Sequence, residues 1–198
     1  MDSKVTATTH PVEEAASDWR TIVEPHRGSR LTFEVTGAES GGDFVRLHDL
    51  LPPHSGGPPR HIHRTQSESF TVLAGRLRIE AGGHVVSIGP GETVTAPAGM
   101  PHSFQTEGDD EVELVGEVRP AGHFEECLRA LYGLSRDGRM DPINFAMAAR
   151  LGESLPAGPP APVARVLIAV LAWIGDRLGR DGSFPEYTTA PGSSARAR

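Results

Sequence analysis

RHIHRTQSESFTVLAG, residues 60–75, is the stretch on which the reading of the whole chain turns. His61 and His63 are two positions apart, and Glu68 follows five positions later in a run that reads as a strand. Side chains alternate faces along a strand, so the two histidines point the same way, as do Glu68, Phe70 and Val72. Two imidazoles and a carboxylate converging from neighbouring strands offer nitrogen and oxygen donors to a divalent cation. A fourth donor stands at His102, within GETVTAPAGMPHSF at residues 91–104.

These two segments resemble the two motifs of the cupin superfamily. The first motif is a His-x-His, four residues, a Glu, six residues and a Gly, matched by His61, His63, Glu68 and Gly75. The second is a Gly, five residues, then Pro-x-Gly-x-x-His, matched by Gly91, Pro97, Gly99 and His102. Two positions depart from the pattern: Ser55 stands where a glycine is expected, and Thr106 where an asparagine can end the second motif. Neither is a ligand, so they bear on loop shape. The resemblance covers roughly residues 40–119 and implies a double-stranded β-helix, or jelly roll, with a metal centre built from His61, His63, Glu68 and His102.

The chain has 198 residues, enough for one domain with a sizeable core. Its 23 Gly and 17 Pro indicate many turns, and its net charge of −7 argues against a nucleic-acid partner. No basic helix precedes the barrel segment. Cys127 is the single cysteine, which excludes an internal disulfide, and the opening residues carry no signal-peptide pattern. A cytoplasmic setting is the expectation from both observations.

Residues 1–17 lack periodicity and are expected to be disordered. Strands are predicted at 19–23, 30–36, 44–51, 69–73, 76–80, 84–88, 93–96, 102–106 and 111–118, separated by Gly and Pro signals. In the third of these, one face carries Phe44, Arg46, His48 and Leu50, the other Val45, Leu47, Asp49 and Leu51. Periodicity leaves open which face lines the barrel; Arg46 and His48 are pocket candidates if the first does. PPHSGGPP at 52–59 cannot be regular structure and reads as a loop with His54 at its rim. Many short, evenly spaced strands indicate a mainly β sandwich or barrel over 18–120.

After Arg119 the period changes to 3.6. Phe124, Cys127, Leu128, Leu131 and Tyr132 form one helical stripe that is expected to end near Gly133. Asp141 followed by Pro142 reads as an N-cap opening a second helix to about Leu151. A proline-rich connector follows at 155–162. The third helix, 163–178, has the apolar centre VLIAVLAWIG and is too short to span a bilayer. Its expected inner face is Val166, Leu167, Val170, Leu171 and Ile174, with Trp173 or Ile168 turned to a second subunit. Residues 121–180 thus form a C-terminal helical extension, and 181–198 a disordered tail.

Four nitrogen and oxygen ligands leave a six-coordinate ion two open positions, the mark of a catalytic rather than a closed structural site. Without thiolates the ion is expected to be Fe, Mn, Ni or Co, with Zn as a further candidate. Phe70, Val72 and Phe104 are expected to wall the centre, and Gln66, Ser69 or Gln105 to support it. The resemblance then implies a quercetinase-like dioxygenase acting on a flavonol-like or enolisable small molecule, with Glu68 as ligand and proton acceptor. A metal-dependent cyclase or isomerase and a non-catalytic binder are the other readings. No membrane or nucleic-acid partner is expected, and a homodimer is.

Overall fold

The computed structural model describes residues 19–157 and 161–190. Eleven strands are described in two antiparallel sheets. They are β1 (Thr21–Val23), β2 (Arg30–Val35), β3 (Val45–Leu51), β4 (His61–His63), β5 (Ser67–Ala74) and β6 (Leu77–Ala81). Then come β7 (His84–Ile88), β8 (Thr93–Ala96), β9 (His102–Thr106), β10 (Val112–Arg119) and, within the extension, β11 (Ser154–Pro156). One sheet runs β1-β2-β3-β10-β5-β8 and the other β11-β4-β9-β6-β7. The fold is the expected mainly β jelly roll with C-terminal helices.

Period-two patterning places the barrel interior. Along β10 the side chains alternate buried and half-exposed, and its register aligns Leu114 with Asp49 of β3 and Val72 of β5. Phe70, Val72, Leu77, Ile79, Phe104 and Leu114 fill the space between the sheets. Burying such a set supplies most of the drive to close the two sheets face to face, at about 1.5–3 kcal/mol per large side chain.

The extension is built from α1 (Phe124–Arg136), α2 (Pro142–Leu151), α3 (Ala161–Arg177) and α4 (Pro185–Thr188). Asp141 caps α2 as the sequence suggests, its carboxylate accepting from the backbone N–H of Ile143 and Asn144, each at 2.9 Å. Two cores join the helices to the barrel and to one another. Leu31, Phe33, Val45, Leu47 and Val118 pack with Phe124 of α1, while Leu134, Met147, Ala172, Phe184 and Tyr187 bind the helices together. Arg129 is buried between the Trp19 and Phe33 rings, 4.0 and 4.3 Å from their centroids, and pairs with Glu125 at 2.9 Å. Its stacked guanidinium ties α1 to the start of the barrel.

Four expectations are corrected. The first helix does not stop at Gly133 but runs to Arg136, because Gly133 is the hollow into which the Tyr187 ring settles. The expected disordered tail contains buried Phe184, just before α4, and buried Tyr187 within it; four helical residues give too little periodicity to be seen. The start of the expected connector, with the residue before it, instead forms β11 (Ser154–Pro156). Finally, α3 is rotated: Ile168 and Ala172 are buried, whereas Val166, Leu167 and Val170 are exposed. Small residues set that rotation, since Gly175 lets Met147 and Ile143 of α2 approach its backbone. The expectations for residues 1–17, 158–160 and 191–198 fall outside the described residues. Among the described residues no helix is long and apolar enough to cross a membrane.

Gly133→Ala is expected to lower stability by about 1–3 kcal/mol, because the added methyl must displace the Tyr187 ring from a packed core. Urea unfolding followed by tyrosine and tryptophan fluorescence measures the loss.

Candidate metal centre

β4 and β9 are antiparallel neighbours with His61 directly opposite His102, so strand register brings two imidazoles together before any long side chain has to reach. His63 shares their face two residues on. Glu68 comes from β5 in the other sheet, so the group bridges the two layers. One donor atom from each of His61, His63, Glu68 and His102 lies within 4.8 Å of all the others. All four residues are buried, at 6, 3, 7 and 1 % exposure.

The hydrogen bonds around the rings fix which nitrogen faces inward. His61 Nδ1 donates to the Pro59 carbonyl at 3.0 Å and His102 Nδ1 to the Met100 carbonyl at 2.9 Å. A carbonyl only accepts, so each Nδ1 carries a proton and Nε2 is the atom turned to the cluster, a bare lone pair whenever the ring is neutral. Those lone pairs face other acceptors: His102 Nε2 is 3.0 Å from Glu68 Oε2, and His61 Nε2 is 3.2 Å from His63 Nε2. His63 Nε2 is 3.2 Å from the same carboxylate oxygen. Lone pairs at such distances repel unless a cation sits among them. A proton can relieve one pair; a divalent ion relieves all four donors together, so the residues fit a metal.

Electrostatics agree. Burial pushes His61 down to about 4, so its ring is neutral and free to ligate at pH 7. Burial alone would raise the Glu68 carboxyl, but hydrogen bonds from His102 and His63 hold it well below the usual carboxylate range. For His102, burial opposes the charged ring, and the Glu68 carboxylate outweighs it and raises the pKa. A metal needs that Nε2 without its proton, so metal affinity falls as pH drops.

The surroundings divide into residues that approach the centre and residues that do not. Phe70 lies 6.2 Å from the His102 ring and 5.0 Å from Phe104, ring to ring. Val72 is buried deeper in the same cluster. Gln66 is buried, but its amide donates to the Pro120 and Ala121 carbonyls rather than to a ligand. Ser69 pairs with Thr95, and Gln105 is exposed. His54 lines an open cleft of about 730 Å³ with Arg27 and Arg60, consistent with a rim position.

Arg46 and His48 are not pocket residues. They lie on the outer face of β3, where Arg46 pairs with Glu117 at 2.8 Å and His48 with Glu113 at 2.7 Å. The inner face is Val45, Leu47, Asp49 and Leu51. The two faces differ by only one apolar residue, three against two, too little to decide from sequence, and Asp49 is the polar residue carried inside. Asp49 is 8 % exposed, and its Oδ1 has no hydrogen-bond partner among the described residues.

Two contacts come from parts of the chain that the motif does not cover. β11 pairs with β4, aligning Ser154 with His63 and Pro156 with His61, so the extension supplies the neighbouring strand of the metal strand. The Phe124 ring at the start of α1 packs edge-on against His63, 5.6 Å between centroids. The two departures from the motif also meet. Ser55 N–H donates to Thr106 Oγ1 and Thr106 N–H donates to the Ser55 carbonyl, both at 2.9 Å. Beside them Gly56 forms a bridge to Gln105, and Gly57 leaves room for the Phe104 ring.

A cupin domain model matches residues 48–116. Among curated proteins, "Probable oxidoreductase virH" of Hypocrea virens is 33% identical over 182 residues, covering 81% of this chain and 83% of that protein. "Probable oxidoreductase patJ" of Penicillium expansum is 29% identical over 190 residues, covering 85% of this chain; the chain spans only 58% of that relative's length. A solved structure described as a predicted oxalate decarboxylase from Thermotoga maritima is 19% identical. It covers 46% of this chain and 80% of that one at a TM-score of 0.45.

His102→Ala is expected to reduce bound divalent metal at least tenfold while leaving the far-ultraviolet circular dichroism of the sheets unchanged; elemental analysis of the purified protein reads the first. Asp49 gives a separate, pH-dependent outcome. Burial, with the Glu68 charge adding to it, raises its carboxyl from 3.8 to about 7. Between those values the folded chain keeps a proton that the unfolded chain releases, so stability falls as pH rises through that window. Asp49→Asn removes the effect. In metal-stripped protein its melting midpoint should exceed the wild type's at pH 8, and the difference should shrink toward pH 4.

Proposed function

The chain belongs to the cupin superfamily, and on that premise we propose that it is a metal-dependent oxidoreductase, specifically a dioxygenase of a small enolisable or flavonol-like molecule. The observation that carries this reading is the buried meeting of three imidazoles and one carboxylate, each turning one donor atom to a common point within 4.8 Å of the others. The oxidoreductase names of the Hypocrea and Penicillium relatives support oxidation over the cyclase and isomerase readings. A first-row divalent ion (Fe, Mn, Ni or Co, with Zn as the redox-inert candidate) would supply Lewis acidity and a path for electrons between substrate and O2.

The chain's own residues have distinct tasks in this proposal. His61, His63 and His102 hold the ion as neutral ligands, with Pro59 and Met100 carbonyls keeping two of the rings in the correct tautomer. Glu68 would hold it as an anion, and its carboxylate is placed to accept the proton of an enol hydroxyl. Phe70, Phe104 and Phe124 border the centre with carbon, which limits water and strengthens each electrostatic contact inside. A flat, largely apolar substrate suits such walls.

The test is oxygen uptake by protein reconstituted with each metal in turn, using a flavonol and 1,3-diketone panel. One O2 consumed per substrate, with both its atoms in the organic product, is the expected stoichiometry. Turnover that continues under argon would replace oxygenation with a non-redox reaction. Glu68→Gln keeps the shape and removes the charge; it should retain part of the metal and lose turnover at least a hundredfold.

A further inference from the structure

The outward face of α3 is apolar from end to end. Val163, Val166, Leu167, Val170 and Trp173 are 66, 64, 54, 46 and 54 % exposed, and they recur at the three- and four-residue spacing of one helical stripe. The opposite side of the helix is already occupied, with Ile168 and Ala172 buried against the extension's own core. On standard side-chain areas the five residues leave on the order of 500 Å² of carbon in water, the size at which an apolar patch on a soluble protein signals a contact.

We infer that this stripe is the contact surface of a homodimer in which two copies of α3 pack antiparallel across a two-fold axis. Three features select a second copy. The first is area: with the exposed rim residues Pro162, Arg165, Ala169 and Arg177, the footprint reaches roughly 800 Å², which is what one partner of a standard interface buries. The second is shape. A two-fold axis midway between Val166 and Val170 sets Val166 against the partner's Val170, and Val163 against the partner's Trp173. Each large ring then meets a small side chain, and the stripe is its own complement, as an isologous interface requires.

The third feature is charge. Arg165 and Arg177 flank the stripe, and Arg177 lies 5.0 Å from the centroid of the Trp173 ring. A parallel pair would set each arginine beside its copy, whereas the antiparallel pair holds like charges apart and opposes the helix dipoles. Residues 161–177 contain no lysine, and the chain carries a net charge of −7, so an anionic lipid surface is a poor occupant of the same face.

Sedimentation equilibrium on the full-length, metal-loaded protein tests the assignment. The wild type should sediment at twice the chain mass at about 50 μM. Val166→Asp should sediment as a single chain, its dimer dissociation constant raised at least a hundredfold, with unchanged circular dichroism and metal content. Val170→Lys serves as the second variant and should do the same, since both side chains point away from the core. Mixing Val166→Cys and Val170→Cys proteins under oxidant should give a cross-linked heterodimer in preference to either homodimer, because only the antiparallel register sets those two positions together.

A wild type that remains a monomer at 50 μM overturns the inference, whether residues 1–18 or nothing covers the stripe. So does a dimer that survives both charged variants. Flotation of the wild type with vesicles of one-third phosphatidylserine, lost in Val166→Asp, would assign the face to a membrane instead. Preferential cross-linking of each cysteine variant to itself would overturn the antiparallel arrangement.

Discussion

Four lone-pair donors crowded into a dry interior are the constraint on which this protein depends. His61 and His102 each give Nδ1 to a backbone carbonyl, which turns both Nε2 atoms inward. Glu68 arrives from the opposite sheet with its carboxylate aimed at the same point. Removed from water, such a set is costly on its own, and only a cation makes it favourable. The barrel's folding and its chemistry therefore meet at one place. The two sheets close over an interior whose centre is polar, while Phe70, Leu77 and Ile79 provide the apolar burial that offsets it.

The convergence of His61, His63, Glu68 and His102 was legible because its chemistry is carried by residue type and spacing. A His-x-His on a strand can point only one way, and the separate Gly, Pro and His spacing around His102 corroborates it. Most strand bounds were legible too, since alternation and Gly/Pro turns are local signals. What stayed hidden was non-local. Nothing in Ser154-Leu155-Pro156 announces a strand; it becomes one by lying beside β4. Choosing between Arg46/His48 and Asp49 needed the identity of the covered face, which two alternating patterns could not supply. The rotation of α3 depended on Gly175 and Ala172 fitting under α2, a packing preference invisible in a helix that is apolar nearly all round.

The extension is part of the site's architecture. Through β11 it continues the hydrogen-bonded sheet beyond β4, and through Phe124 it abuts His63. Arg129 stacked between Trp19 and Phe33 locks the same helix to the first strands. Since α3 also packs on β11, a path of direct contacts runs from the outward stripe of α3 to the metal strand. Whatever occupies that stripe bears on the edge of the sheet that holds His61 and His63.

The joint between Ser55 and Thr106 has a consequence for how such chains are recognised. The two positions are 51 residues apart in the chain yet share reciprocal hydrogen bonds, each backbone N–H answered by the other residue. Scored one position at a time, they count as two independent failures to match a motif. In the folded chain they are the two halves of a single loop-to-strand fastening. A change at either position therefore lands on both sides of the joint at once, so neither residue can be judged by its own stretch of sequence alone.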